Sequence, residues 1–138
     1  MDHLWSPWRF QYVSSTTNPS GCVFCLLISE ANDRQNLILL RKEHAFLILN
    51  RFPYTTGHLM VVTNRHIATL EAATPAELTE MILLARESAG LLRKVYRPDG
   101  LNVGFNIGKS AGAGIADHLH LHIVPRWEGD ANMVSVIG

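Results

Sequence analysis

The run His118-Leu119-His120-Leu121-His122-Ile123-Val124 alternates imidazole and aliphatic side chains without a break. A strand turns successive side chains to opposite faces, so the run predicts an extended segment with three histidines on one face and Leu119, Leu121 and Ile123 on the other. The aliphatic face belongs to a core, and the histidine face has to meet solvent, a ligand or a metal. Neighbouring imidazoles repel one another when charged, so some are neutral near pH 7 and usable as nucleophile, base or ligand. One zinc cannot take all three: positions i, i+2 and i+4 span about 13 Å at about 3.3 Å per residue, against metal bonds of about 2.1 Å. Nucleophilic catalysis by one imidazole, with its neighbours orienting a substrate, fits the pattern best. The plain alternative is a polar outer face of an antiparallel strand.

The two cysteines stand together as Cys22-Val23-Phe24-Cys25. Such a pair is a redox dithiol or half of a four-ligand zinc site. A thioredoxin-like pair follows a strand and opens a helix, whereas this one follows a Ser/Thr/Asn/Pro stretch at 14–20, which favours metal. Two small hydrophobes near the core are the simpler reading.

Charge narrows the partners. Twelve Lys and Arg balance twelve Asp and Glu in 138 residues, so nothing in bulk electrostatics draws the chain to nucleic acid or an acidic membrane, and a phosphate-bearing ligand has to be recognised locally. The longest apolar run, 22–28, is seven residues, against the roughly 20 of a membrane-spanning helix. The opening residues lack a signal-peptide pattern, and a soluble cytoplasmic protein is expected. The length suits one domain over 1–138, with an aromatic arm and linker at 1–20 (Trp5, Trp8, Phe10, Tyr12) and a core at 21–138. An arm that aromatic is expected to pack on the domain or on a second subunit.

Strands are expected at 36–41, 45–50 and 57–64. A helix opens with the capping box Thr74-Pro75-Ala76-Glu77, carries a stripe of Leu78, Ile82, Ala85, Ala89 and Leu92, and stops at Pro98-Asp99-Gly100. A strand follows at 101–107, then a glycine-rich loop at 108–114, then the histidine strand at 118–124, which Pro125 should end. The class is α+β: an antiparallel sheet with one long helix on a face. In the loop, Gly108, Gly112 and Gly114 allow backbone amides close to an anion, and Lys109 and Ser110 add a charge and a hydroxyl.

The triad, together with Asn50, Gly57-His58-Leu59-Met60-Val61-Val62, Arg65-His66 and the segment 101–112, resembles the histidine triad superfamily of nucleotide-binding hydrolases and transferases. The segments 4–9 and 124–132 are similar to its branch of bacterial diadenosine tetraphosphate phosphorylases and related hydrolases. The resemblance implies that His120 attacks an α-phosphorus to form a nucleotidyl-histidine, with His122 assisting and Asn106 contacting the phosphate. It implies that Asn50 holds the ribose, that Phe24, Leu27 and Ile48 line an adenine cleft, and that His58 supports the pocket. Lys109, Ser110, Gly112, Gly114 and Trp127 complete the binding residues, and Cys22, Cys25, His66 and His118 hold a structural zinc. Relatives commonly carry Gln, Ser or Thr just before the triad to help the leaving group; here the stretch is Ala113-Gly114-Ile115-Ala116-Asp117, so amides, Lys109 or Ser110 would serve. The implied partners are a small adenosine nucleotide and a second copy of the chain. A nucleotide-binding module without turnover is the alternative from another class.

Overall fold

The computed structural model describes residues 21–50 and 56–129. The aromatic arm, residues 51–55 and the segment from Asp130 onward lie outside the described residues. Five strands, β1 (Ile38–Arg41), β2 (Ala45–Leu49), β3 (Leu59–Thr63), β4 (Gly100–Phe105) and β5 (His120–Arg126), form one sheet in the order β1-β2-β3-β5-β4. Every neighbouring pair is antiparallel. The histidine strand therefore lies between β3 and β4, where two partners fix its register and with it the face each imidazole takes.

One face of the sheet is covered by α3 (Pro75–Tyr96). This helix starts as the sequence dictates: Thr74 Oγ1 accepts from the Glu77 amide, and the Glu77 carboxylate accepts from the Thr74 amide. It ends where Arg97 takes a left-handed conformation ahead of Pro98. Its buried face differs from the expected stripe. Glu77, Met81, Leu84, Ala85, Ser88 and Leu92 point inward, while Ile82 is 57% exposed. Two polar residues can take inward positions because each is satisfied there. Ser88 Oγ donates to the Leu84 carbonyl at 2.8 Å, and Glu77 accepts two bonds from the Arg65 guanidinium, each 2.8 Å. Against the helix, Ala45, Leu47, Leu59, Val61, Leu121 and Ile123 form the main core. This is the aliphatic face of the alternation, and each fully buried Leu or Ile on it contributes about 2 kcal/mol.

The opposite face is closed as well. The apolar run 22–28 forms α1 (Val23–Ser29) and is followed by the single-turn α2 (Asp33–Asn36), neither of which was expected. Val23, Phe24 and Leu27 of α1 pack with Ile38, Phe46, Ile48, Met60, Val62 and Ile115 into a second cluster. Asn36 belongs to α2, and β1 begins two residues later. Pro125 does not end β5. Pairing with β3 stops at Ile123, and beyond it only β4 continues alongside, so the missing proline N–H interrupts no β3 ladder. No helix among the described residues is long and apolar enough to cross a membrane.

Candidate active site and metal centre

The histidine face is buried and not solvated: His118, His120 and His122 are 1%, 5% and 7% exposed, and Phe24 of α1 packs against the first two. Only the last two lie within the strand, and His118 precedes it. The register sets Val62 beside His120 and Met60 beside His122, with Gly104 on the other side of His122. Continuing that register by one residue brings Asn106 beside His120.

Hydrogen bonds orient the rings. His120 Nδ1–H donates to the His118 carbonyl at 2.7 Å, which leaves the lone pair of a neutral ring on Nε2. His122 Nδ1 is 2.9 Å from His58 Nε2, and His58 Nδ1 is 2.9 Å from Asn50 Nδ2. Burial, reinforced by repulsion from His120 and His58, pushes the His122 imidazole down to about 2, so it is neutral at physiological pH. The His120 and His122 rings meet at 4.8 Å between centroids.

Phe24, expected in an adenine cleft, is 0% exposed. Its ring centroid stands 5.0 Å from that of His120 and 5.4 Å from that of His118. Leu27 and Ile48 are buried in the same cluster. Lys109, Ser110 and Gly114 are exposed, and Gly112 and Trp127 are half-buried. The amides of Gly112 and Ala113 donate within the loop, to the carbonyls of Lys109 and Gly108.

The fold gathers Cys22, Cys25, His66 and His118, with one ligand atom from each within 4.8 Å of all the others. Cys22 Sγ lies 3.3 Å from His118 Nδ1, and Cys25 Sγ lies 3.3 Å from His66 Nδ1 and 3.6 Å from His118 Nδ1. A tetrahedral zinc with bonds near 2.3 Å to sulfur and 2.1 Å to nitrogen sets such S to N edges at about 3.5 Å, so the donor set fits that ion. His118 Nε2–H donates to the Thr63 carbonyl at 2.7 Å, which turns the lone pair of Nδ1 toward the sulfurs. Burial raises the Cys22 thiol to about 12 and lowers His118 to about 4. A thiol so buried is inert without a cation beside it, and a bound cation removes its proton. Two contributors were not anticipated. The Thr63 carbonyl, being backbone, leaves no trace in sequence. Asp117, whose carboxylate is 3.7 Å from His66 Nε2, is signalled only by its place next to a ligand.

A five-stranded antiparallel sheet carrying alternating histidines on its inner strand, with a Cys2His2 corner beside it, defines a histidine triad fold. The family profile described as HIT domain matches residues 31–129, and the chain belongs to that family. It is similar to the AP-4-A phosphorylase of Mycobacterium tuberculosis, 37% identical over 145 aligned residues, which cover 100% of this chain and 74% of that protein. It is also similar to the asymmetrical bis(5'-nucleosyl)-tetraphosphatase of Schizosaccharomyces pombe, 30% identical over 67% of this chain and 50% of that one. Among solved structures, a zinc-bound histidine triad family protein of Mycobacterium smegmatis superposes with a TM-score of 0.70 and 32% identity, over 82% of this chain and 80% of its own.

Proposed function

We propose that the chain cleaves dinucleoside polyphosphates of the diadenosine tetraphosphate kind, or other adenosine nucleotides, at the α-phosphorus through a nucleotidyl-His120 intermediate. The observation that carries this reading is the 2.7 Å bond from His120 Nδ1–H to the His118 carbonyl, which holds Nε2 as an unprotonated nucleophile. A P–Nε2 bond forms as the bond from phosphorus to the bridging oxygen breaks, and the rest of the polyphosphate departs. Water or inorganic phosphate then attacks the same phosphorus, freeing His120 and releasing AMP or ADP. His122 and Asn106 contact the phosphate, and Asn50 the ribose. The names of the Mycobacterium tuberculosis and Schizosaccharomyces pombe relatives support this substrate class.

Cys22, Cys25, His66 and His118 would hold a structural zinc that fixes the residue preceding the catalytic strand. All four positions of its tetrahedron are protein ligands, so it serves shape and not chemistry. The thiols are free, which suits a reducing compartment such as the cytoplasm. A homodimer is supported by apolar residues left exposed, among them Leu91 and Val95 of α3 and Val103 on the edge strand β4. Light scattering on the purified protein would give twice the chain mass for a dimer, and the chain mass would refute it.

Incubation with diadenosine tetraphosphate, with and without inorganic phosphate, tests the activity. AMP as a product without phosphate marks a hydrolase, and ADP only with phosphate a phosphorylase. Nucleotide binding without either product would establish the binding-module alternative and overturn the proposal.

A further inference from the structure

The two strand histidines face one site, yet the hydrogen bonds around them demand opposite proton placements. His120 spends its Nδ1 proton on the His118 carbonyl. His122 is engaged through Nδ1 by His58 Nε2, and His58 is engaged through Nδ1 by the Asn50 side-chain nitrogen. An amide NH2 can only donate, so His58 Nδ1 is the acceptor of that bond and the proton of a neutral His58 sits on Nε2. That proton is given to His122 Nδ1, which leaves the proton of a neutral His122 on its own Nε2. The reverse arrangement, His122 Nδ1–H donating to His58, would put the His58 proton on Nδ1 against the Asn50 NH2, donor facing donor, and would require the amide to turn over and present Oδ1. His58 is 2% exposed and His122 7%, and an unmatched donor at that depth is costly.

We infer that Asn50 is a positioning residue whose side-chain amide, relayed through His58, fixes His122 as the Nε2–H tautomer. The third histidine of the triad then meets the substrate as a neutral hydrogen-bond donor, while its neighbour His120 meets it as a lone-pair nucleophile. The group selected by such a pair is a phosphoryl centre with an anionic oxygen: His120 Nε2 faces phosphorus and His122 Nε2–H a non-bridging oxygen. This goes beyond ribose binding by Asn50, and its catalytic consequence rests on the function proposed above. The backbone already joins the two positions, since the Asn50 amide donates to the His58 carbonyl at 2.9 Å. The side chain can therefore be changed while that main-chain bond stays.

The test is the imidazole tautomers of ligand-free protein labelled with 15N-histidine, read at pH 8 from long-range 15N–1H spectra. The expected result is a protonated Nε2 and an unprotonated Nδ1 for His122, with the opposite pattern for His120. In Asn50→Leu, which keeps bulk and removes the donor, His122 should become a mixture of tautomers. Its kcat should fall about tenfold or more, as when one preorganised donor is lost, whereas loss of a ribose contact alone would move KM and leave the tautomer unchanged. His58→Gln, whose amide can still donate to His122, should keep the Nε2–H form that His58→Leu loses. A wild-type His122 protonated at Nδ1, or a tautomer indifferent to Asn50→Leu, would overturn the inference. The spectra require no turnover: correct tautomers in a protein that cleaves no dinucleotide would sink the proposed function and leave this relay standing.

Discussion

His120 takes its ring orientation from His118: the His120 Nδ1–H bond to the His118 carbonyl, 2.7 Å long, sets which nitrogen of a neutral His120 carries the lone pair. The His118 ring is itself held from both ends, by the Thr63 carbonyl at Nε2 and by the Cys22 and Cys25 sulfurs at Nδ1. One residue thus joins the cysteine corner through its side chain to His120 through its backbone.

If that corner holds zinc, elemental analysis of freshly purified protein should give about one zinc per chain. Cys25→Ser should reduce it to background and lower Tm by about 5 °C or more, the shift expected for a loss of about 2 kcal/mol in a domain of this size. Zinc-free native protein, or a Cys25→Ser variant with unchanged Tm, would count against the site.

Glu77 links the loop carrying His66 to the start of α3. Its carboxyl is held down to about 2 from the usual 4.5, first by the Arg65 guanidinium and then by the Thr74 amide, against the opposing effect of burial. A folded-state value below the unfolded one gives stability that is complete above about pH 4.5 and lost as pH falls toward 2. Glu77→Gln can keep the capping bond and loses the ion pair. Because the Arg65 side chain is 54% exposed, the pair is screened, and the variant should be less stable by about 1 kcal/mol at pH 7. Urea unfolding should show that gap narrowing between pH 4.5 and 2. A gap constant with pH would mean that the ion pair contributes nothing.

Gly57 precedes His58 with φ +83, and a Cβ there would stand 3.0 Å from Tyr96 Cε2 and 3.2 Å from Leu92 Cδ2. Tyr96 is 40% exposed and can move aside, but the left-handed backbone remains. Gly57→Ala should therefore cost about 1–2 kcal/mol, and adding Tyr96→Ala should restore only part of it. Full restoration by the second change would place the whole cost in the side-chain contact.

The strands and the triad were legible because 45–49 and 59–62 are short continuous apolar runs bounded by polar and turn residues, because imidazole and aliphatic side chains alternate from His118 to Ile123, and because the Thr74 to Glu77 box marked the start of α3. The buried face of that helix was misread since Ser88 and Glu77 look like surface residues until Leu84 and Arg65 are seen to satisfy them. The helix α1 was missed because 22–28 is apolar without periodicity, and the cysteines at its start drew attention to metal chemistry. Missing it hid the contact of Phe24 with the His118 and His120 rings. The family resemblance implied a supporting role for His58 but not the bond to His122, which joins residues 64 positions apart in the chain.

The central claim is a covalent bond from His120 to an α-phosphorus. Rapid acid-free quenching of the protein with diadenosine tetraphosphate, followed by peptide mass spectrometry, tests it directly. The account predicts a transient mass gain of one AMP moiety on the peptide containing His120, absent in His120→Ala, which should bind nucleotide and turn over none. An adduct on another residue, or turnover at near-native rate by His120→Ala, would contradict it.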